Sequence, residues 1–338
     1  MTLNTYPLDK SYEDKLDWLE LSCLKDEYFI YRISELEGII ENSEALDSQD
    51  IQSEDADKES EISVLLDLMG QRVRALDGAY PFTLSEDGHE ISLVHEELHQ
   101  LKVSQHVYLY CLLVSHAVRD DVLGSKMQLT NDDRDLMQVC STIALAGYSG
   151  GNSYSFGFPR PDKTGFYDAL VDVCERVKEW ELKPHKNINA HVRENLWSVK
   201  DHGIDIISWT EDDVDDQPGI RSVIYGQVAT GDKWQEKSVK EYREMLHKYF
   251  FDAPPAQYSD AIFIPFDIDY HRRSSGQDKF IYFTEKLGFI MHRMRIPRFF
   301  EKGLKLNSER PNLLIQRVND IKKLSAFNNV KLEQLKMA

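Results

Sequence analysis

Two short runs rich in β-branched and apolar residues, Ile204–Trp209 and Ser222–Thr230, constrain this chain more than any other feature. Runs of this length and character, bounded by turn formers, read as buried strands. The acidic link between them, Thr210–Gly219, holds Asp215, Asp216, Pro218 and Gly219, which favour a turn. The two runs are therefore expected to form a hairpin that holds one carboxylate, Asp205, beside one amide, Gln227. After Gly231 the pattern turns helical and carries Lys233, Lys237 and Lys240.

A carboxylate, a second oxygen ligand and a nearby lysine suit metal-assisted cleavage of a phosphodiester. Mg²⁺ prefers hard oxygen donors and is often held by one or two carboxylates together with substrate phosphate. The run Gly203-Ile-Asp205, followed by Gly226-Gln227-Val-Ala-Thr-Gly231 and Trp234-x-x-Lys237, resembles the PD-(D/E)xK nuclease superfamily. More narrowly, it is similar to bacterial restriction-type and anti-phage nuclease domains that use Asp…Gln-x-Lys. The resemblance covers roughly Phe166 to Arg298. It implies a restriction-endonuclease-like α/β/α domain with a central mixed sheet. It also implies Mg²⁺, or Mn²⁺ in its place, held by Asp205, the Gln227 side-chain carbonyl, the Val228 backbone carbonyl and an acidic residue on the preceding helix, Glu175.

One departure bears on activity. The family's lysine lies two residues after the glutamine, and here that place is Ala229. A lysine from the following helix can substitute, which makes Lys237 the candidate and Lys233 the reserve. Two readings follow from the resemblance. One is a metal-dependent endonuclease acting on DNA in anti-phage defence or restriction. The alternative is a catalytically inactive nuclease-like subunit that binds DNA or a partner protein. An ordinary buried strand pair is the plain structural alternative to both.

Composition neither forbids nor requires a nucleic-acid partner. The formal net charge is −18, but it is unevenly spread. Residues 1–150 carry 30 acidic and 11 basic side chains, whereas residues 151–338 carry 28 and 29. From His271 onward there are 15 basic against 6 acidic side chains. An acidic module joined to a phosphate-facing one would give this asymmetry. Arg272, Arg273, Arg293 and Arg295, with Lys233, are the candidate backbone-contacting cations. No apolar run is long enough to span a membrane, and the amino terminus lacks the features of a signal peptide. Cys23, Cys111, Cys140 and Cys174 are scattered without a C-x-x-C pair. Both observations suit a cytoplasmic protein with reduced core cysteines.

The glycine-rich stretch Gly147-Tyr-Ser-Gly-Gly-Asn-Ser153 is the clearest linker, so an α+β chain of two domains is expected, divided near residue 150. Residues 1–150 read as all-helical, interrupted by an acidic loop at about 43–60 that suits solvent. A partner protein could dock on this half. Helices are expected over residues 11–40, Glu61–Leu76, Glu90–Arg119 and Arg134–Ala146, the last capped by Thr130-Asn-Asp-Asp133. His95-Glu-Glu-Leu-His99 has the spacing of a zinc protease motif. It has a charged residue between the glutamate and the leucine and no downstream third ligand, so a surface helix is the better reading. In residues 151–338, helices are expected at Gly165–Trp180 and Gln235–Phe250, the latter carrying Lys237. A third strand is expected at Ala261–Phe266, and edge elements at Phe280–Phe283 and Gly288–Met291. A last helix over Asn312–Phe327 would dock on the first half or serve a homodimer.

Overall fold

The computed structural model describes residues 2–44, 51–119, 122–124, 127–157, 160, 164–188, 203–215, 217–268 and 275–337, without the side chains of 43, 44, 51–60 and 275–279. The fold is mixed α and β, centred on a five-stranded mixed sheet. Its strands are β4 (Asn152–Ser155), β6 (Ile206–Trp209), β7 (Val223–Val228), β9 (Tyr258–Phe263) and β10 (Phe289–Met291), in the spatial order β10-β9-β7-β6-β4, and β5 (Glu181–Leu182) pairs with β8 (Phe251–Ala253) apart from it. β6 and β7 pair antiparallel as the hairpin reading requires, with Ile206 opposite Gly226. β4 runs antiparallel to β6, whereas β9 and β10 run parallel to β7. The carboxyl ends of β7, β9 and β10 therefore share one edge.

Alternation along the strands splits the core between the two faces. Ile206, Ile224, Ala261 and Phe263 face α5 (Asn131–Ser149) and α9 (Ile296–Glu309). Ile207, Tyr225, Ile262 and Ile264 face α6 (Phe166–Val177) and α7 (Val239–Phe250). α5 and α9 cross closely because glycines meet at the crossing. A Cβ at Gly147 would run into the Phe299 carbonyl, and one at Gly303 into the Ile143 carbonyl. The β6–β7 link is held from outside, since Glu179 accepts from the amides of Gly219 and Arg221.

The first half is not all-helical. A small antiparallel sheet, β1 (Ile30–Arg32), β2 (Phe82–Leu84) and β3 (Glu90–Leu93), sits among α1 (Tyr12–Lys25), α2 (Ile33–Glu44), α3 (Ile51–Leu76) and α4 (Val103–Val118). The helix expected over residues 11–40 breaks because the Asp26 carboxylate accepts from the amides of Tyr28 and Ile30, and Phe29 takes a positive φ of 57°. Part of the expected acidic loop, Ile51–Ser60, belongs to α3. His95–His99 lies in bends and a short 3₁₀ turn rather than on an α-helix, so the two imidazoles are not presented from one helical face. Phe280–Phe283 lies within α8 (Ser275–Leu287), not in an edge element. The last helix is α10 (Lys322–Lys336), later than expected, and its Asn328 and Phe327 pack on His106 and Tyr110 of α4.

Residue 150 does not mark a gap in packing, because one apolar cluster runs from Tyr6 through α5 and the sheet to Leu335. A buried ionic lattice adds to this continuity. Asp17 on α1 accepts from Arg293 at 2.6 Å and from Arg72 at 2.7 Å, and its other oxygen meets His116 Nε2 at 2.7 Å. Arg72 also reaches Glu20 at 2.6 Å and Asp267 at 3.0 Å. Arg293 and Asp267 follow β10 and β9, so the lattice ties α1 and α3 to the carboxyl edge of the sheet. Burial alone would raise the Asp17 carboxyl, yet Arg293, Arg72 and His116 hold it well below the ordinary range. Burial acts on Asp267 in the same way, but His292, Arg72 and Arg293 prevail and hold it at about 2 instead of 3.8.

A depressed folded value means that ionised Asp267 contributes stability above about pH 4 and loses it as the pH falls from about 4 to about 2. The shift corresponds to about 2 kcal/mol. In urea unfolding, Asp267→Asn is expected to be less stable than the wild type by about that amount near pH 6, and the gap should close towards pH 2. A gap of constant size over this interval would contradict the lattice.

Candidate functional site

The turn into β6 starts at Gly203, whose φ of +73° suits glycine and whose missing Cβ leaves room for the Tyr242 ring. Two residues later the Asp205 amide donates to the Gly226 carbonyl at 2.8 Å. Gly226 is already opposite Ile206, so residues 205 and 206 share one partner, the two-against-one count of a β-bulge. Bulges re-aim side chains. Here Asp205 Oδ2 accepts from the Val228 amide at 2.7 Å, which sets the carboxylate beside the Gln227–Val228 peptide. The Asp205 carbonyl is held as well, by the amides of Phe156 and Gly157 and by Gln138 Nε2 at 2.5 Å.

Gln227 is 4% exposed, and its Oε1 is buried without a hydrogen-bond partner among the described residues. A buried amide oxygen left unbonded costs free energy, so its retention calls for a reason. A hard cation is one, because an amide carbonyl, a carboxylate and the Val228 backbone carbonyl are all oxygen donors of the kind Mg²⁺ takes. The donor types present suit such an ion. Ala229 is buried and brings no ammonium.

The lysines lie on the segment that follows. Asp232–Glu236 forms a 3₁₀ turn with Trp234 buried against Phe283, and Lys286 Nζ donates to the Gln235 carbonyl. Lys233 is exposed within this turn, and Lys237 is exposed just after it, between the turn and α7. Lys237 is thus not carried by the helix as expected, because α7 begins only at Val239 after its Ser238 cap. Among the described residues neither ammonium makes a hydrogen bond or ion pair.

Other expected positions fall elsewhere. Glu175 is exposed on α6 and makes no contact with Asp205 or Gln227 among the described residues. Arg293 is fully buried in the ionic lattice, which corrects its assignment to a nucleic-acid surface: a guanidinium bonded to Asp17 cannot also meet a phosphate in solvent. Arg295 is half-buried, donates to the Ile290 carbonyl and lies 5.4 Å from the Phe280 ring centre, so it lines a cavity rather than an open surface. Arg272 and Arg273 lie outside the described residues. The sequence reading missed Gln138, which fixes the carbonyl of Asp205, and Arg134, which donates to Thr230 at 3.3 Å beside the end of β7. Both lie on α5, the helix that reaches this end of the sheet.

Asp14, Asp17 and His116 place ligand atoms within 4.8 Å of one another. Two guanidiniums already occupy the Asp17 carboxylate, so a cation there would have to displace them. We assign that cluster no metal. No described helix is long and apolar enough to cross a membrane. No protein-family model matches this chain, nor does any curated protein or solved structure.

Methionine has about the size of glutamine and no carbonyl to leave unbonded. In EDTA, Gln227→Met is expected to raise the unfolding free energy by about 1 kcal/mol in urea titrations. A loss of similar size would mean that Oε1 is satisfied in the folded protein.

Proposed function

We propose that the chain is a metal-dependent endonuclease that cleaves DNA, with Asp205, Gln227 Oε1 and the Val228 carbonyl as the oxygen donors for Mg²⁺. The observation that carries this reading is the unbonded, buried Gln227 oxygen on the residue next to the amide that fixes Asp205. When bound, the ion would polarise a phosphoryl oxygen and offset the charge that builds up on it. Asp205 is oriented for this role by its bond to the Val228 amide, and Gln138 and Gly157 restrain its backbone. Lys237, with Lys233 in reserve, would orient the attacking water or stabilise the phosphoryl charge from the turn after β7. Arg134 would steady a neighbouring phosphate.

The order of elements supports the same reading. In chain order α6, β6, β7, α7 and β9 run as helix, two strands, helix, strand, with the short strands of a separate pair, Glu181–Leu182 and Phe251–Ala253, between them, and the donors lie at the edge where the parallel strands end. Ligands of open α/β sheets commonly bind outside such carboxyl ends. A role in bacterial anti-phage defence or restriction rests on the sequence resemblance alone. The buried methyl of Ala229 favours a second reading, a nuclease-like subunit that binds DNA without cutting it.

Supercoiled plasmid incubated with Mg²⁺ or Mn²⁺ distinguishes the two. The nuclease reading expects nicking by the wild type, none by Asp205→Ala, and a rate lower by about 100-fold for Lys237→Ala. Equal cleavage by Asp205→Ala would sink it. Plasmid bound but left intact by the wild type would favour the binding subunit.

A further inference from the structure

A cavity of about 390 Å³ opens farther along the same edge, where α3, α8 and the start of α9 meet the end of β10. Three strand spacings, about 14 Å, separate β10 from β6, so this cavity is distinct from the Asp205 site. Its volume falls in the range of about 300 to 1,000 Å³ typical of small-molecule sites. Ile268, Phe280 and Met294 make part of the wall apolar, Arg295 and Arg298 bring cations, Gln71 adds an amide, and the Glu13 carboxylate lines it too.

The charges on this wall are unevenly paired. Arg72 and Asp267, which also line it, neutralise each other at 3.0 Å. Arg298 has no carboxylate partner among the described residues, and its Nε is buried without a hydrogen bond. A half-buried guanidinium kept in that state is a poor arrangement for stability and a good one for an anion. The first turn of the 14-residue α9 opens at the same mouth, where the helix dipole favours negative charge; Pro297 offers no amide hydrogen there, and the Ile296 amide donates to the His292 carbonyl. The Gln71 amide makes no hydrogen bond among the described residues, so its donor and acceptor are both free for a polar ring edge.

We propose that this cavity binds a nucleoside monophosphate, with the phosphate on Arg298 and Arg295 and the base between the Phe280 wall and the Gln71 amide. A guanidinium fork matches phosphate oxygens in two parallel bonds. An aromatic wall with one amide suits a planar base better than it suits inorganic phosphate or a simple dicarboxylate. The inference stands apart from the metal-site reading and needs no divalent ion.

Isothermal titration of the full chain in EDTA tests it, with AMP, GMP, CMP and UMP as probes and adenosine and inorganic phosphate as controls. At least one monophosphate is expected to bind with one-to-one saturation, and the controls at least about tenfold more weakly. Arg298→Ala should weaken that binding by about tenfold or more with an unchanged urea midpoint, because Arg298 takes part in no hydrogen bond or ion pair among the described residues. Gln71→Leu should change the order of preference among the four bases. Arg176→Ala, an exposed site on α6, should bind as the wild type does. A 5′-phosphorylated dinucleotide separates two sources of the same chemistry. Tighter binding than the monophosphate marks a strand end as the ligand, and weaker binding marks a free nucleotide. Absence of saturation by all four monophosphates up to about 5 mM, or wild-type affinity in Arg298→Ala, would overturn the proposal.

Discussion

The bond from the Val228 amide to Asp205 Oδ2 is the interaction on which the candidate site depends. In an ordinary ladder that amide would meet a backbone carbonyl of β6. Here the bulge at residues 205 and 206 frees it, and the carboxylate takes the place of the missing carbonyl. A side chain recruited into the sheet in this way is held as firmly as the strand itself. The cost is a local break in pairing. The neighbouring Gln227 oxygen adds a second cost, being buried without a partner. Two such costs on successive residues of one strand end fit a site kept for chemistry better than one kept for stability.

The ionic lattice plays the complementary part by fixing that edge against the amino-terminal half. Arg293 and Asp267 leave the ends of β10 and β9 and are gripped by Asp17 and Arg72. Desolvation offsets much of the attraction within such a lattice, but the lattice strongly disfavours any arrangement that leaves one charge unpaired. It therefore specifies how the two halves meet, and the cavity lined by Arg298 lies in that junction.

Much of the central hairpin could be read from the sequence, because β-branched runs interrupted by Asp, Pro and Gly have few other outcomes. The helix capped by Thr130 was equally plain, and the structure places Thr130 Oγ1 on the Asp133 amide. The amino-terminal sheet escaped detection because its strands are only three or four residues long, too short for a period to show. Arg293 misled for a different reason. A stretch of alternating arginines and apolar residues looks like a surface from sequence, since the carboxylate that buries it, Asp17, is remote along the chain. Gln138 carried no local signal at all, as its importance lies in a backbone carbonyl brought to it by the fold. The positions of Asp205 and Gln227 are legible in motif spacing, whereas the bulge that orients Asp205 is visible only in the fold.

The most direct measurement of the central claim is a titration of the apo protein with Mn²⁺, followed by the electron paramagnetic resonance signal of the free ion. A saturable site is expected in the wild type, with affinity lowered by about tenfold or more in both Asp205→Ala and Gln227→Met. Wild-type Mn²⁺ affinity in both variants would contradict it, and the strand edge would then be a structural feature without a metal.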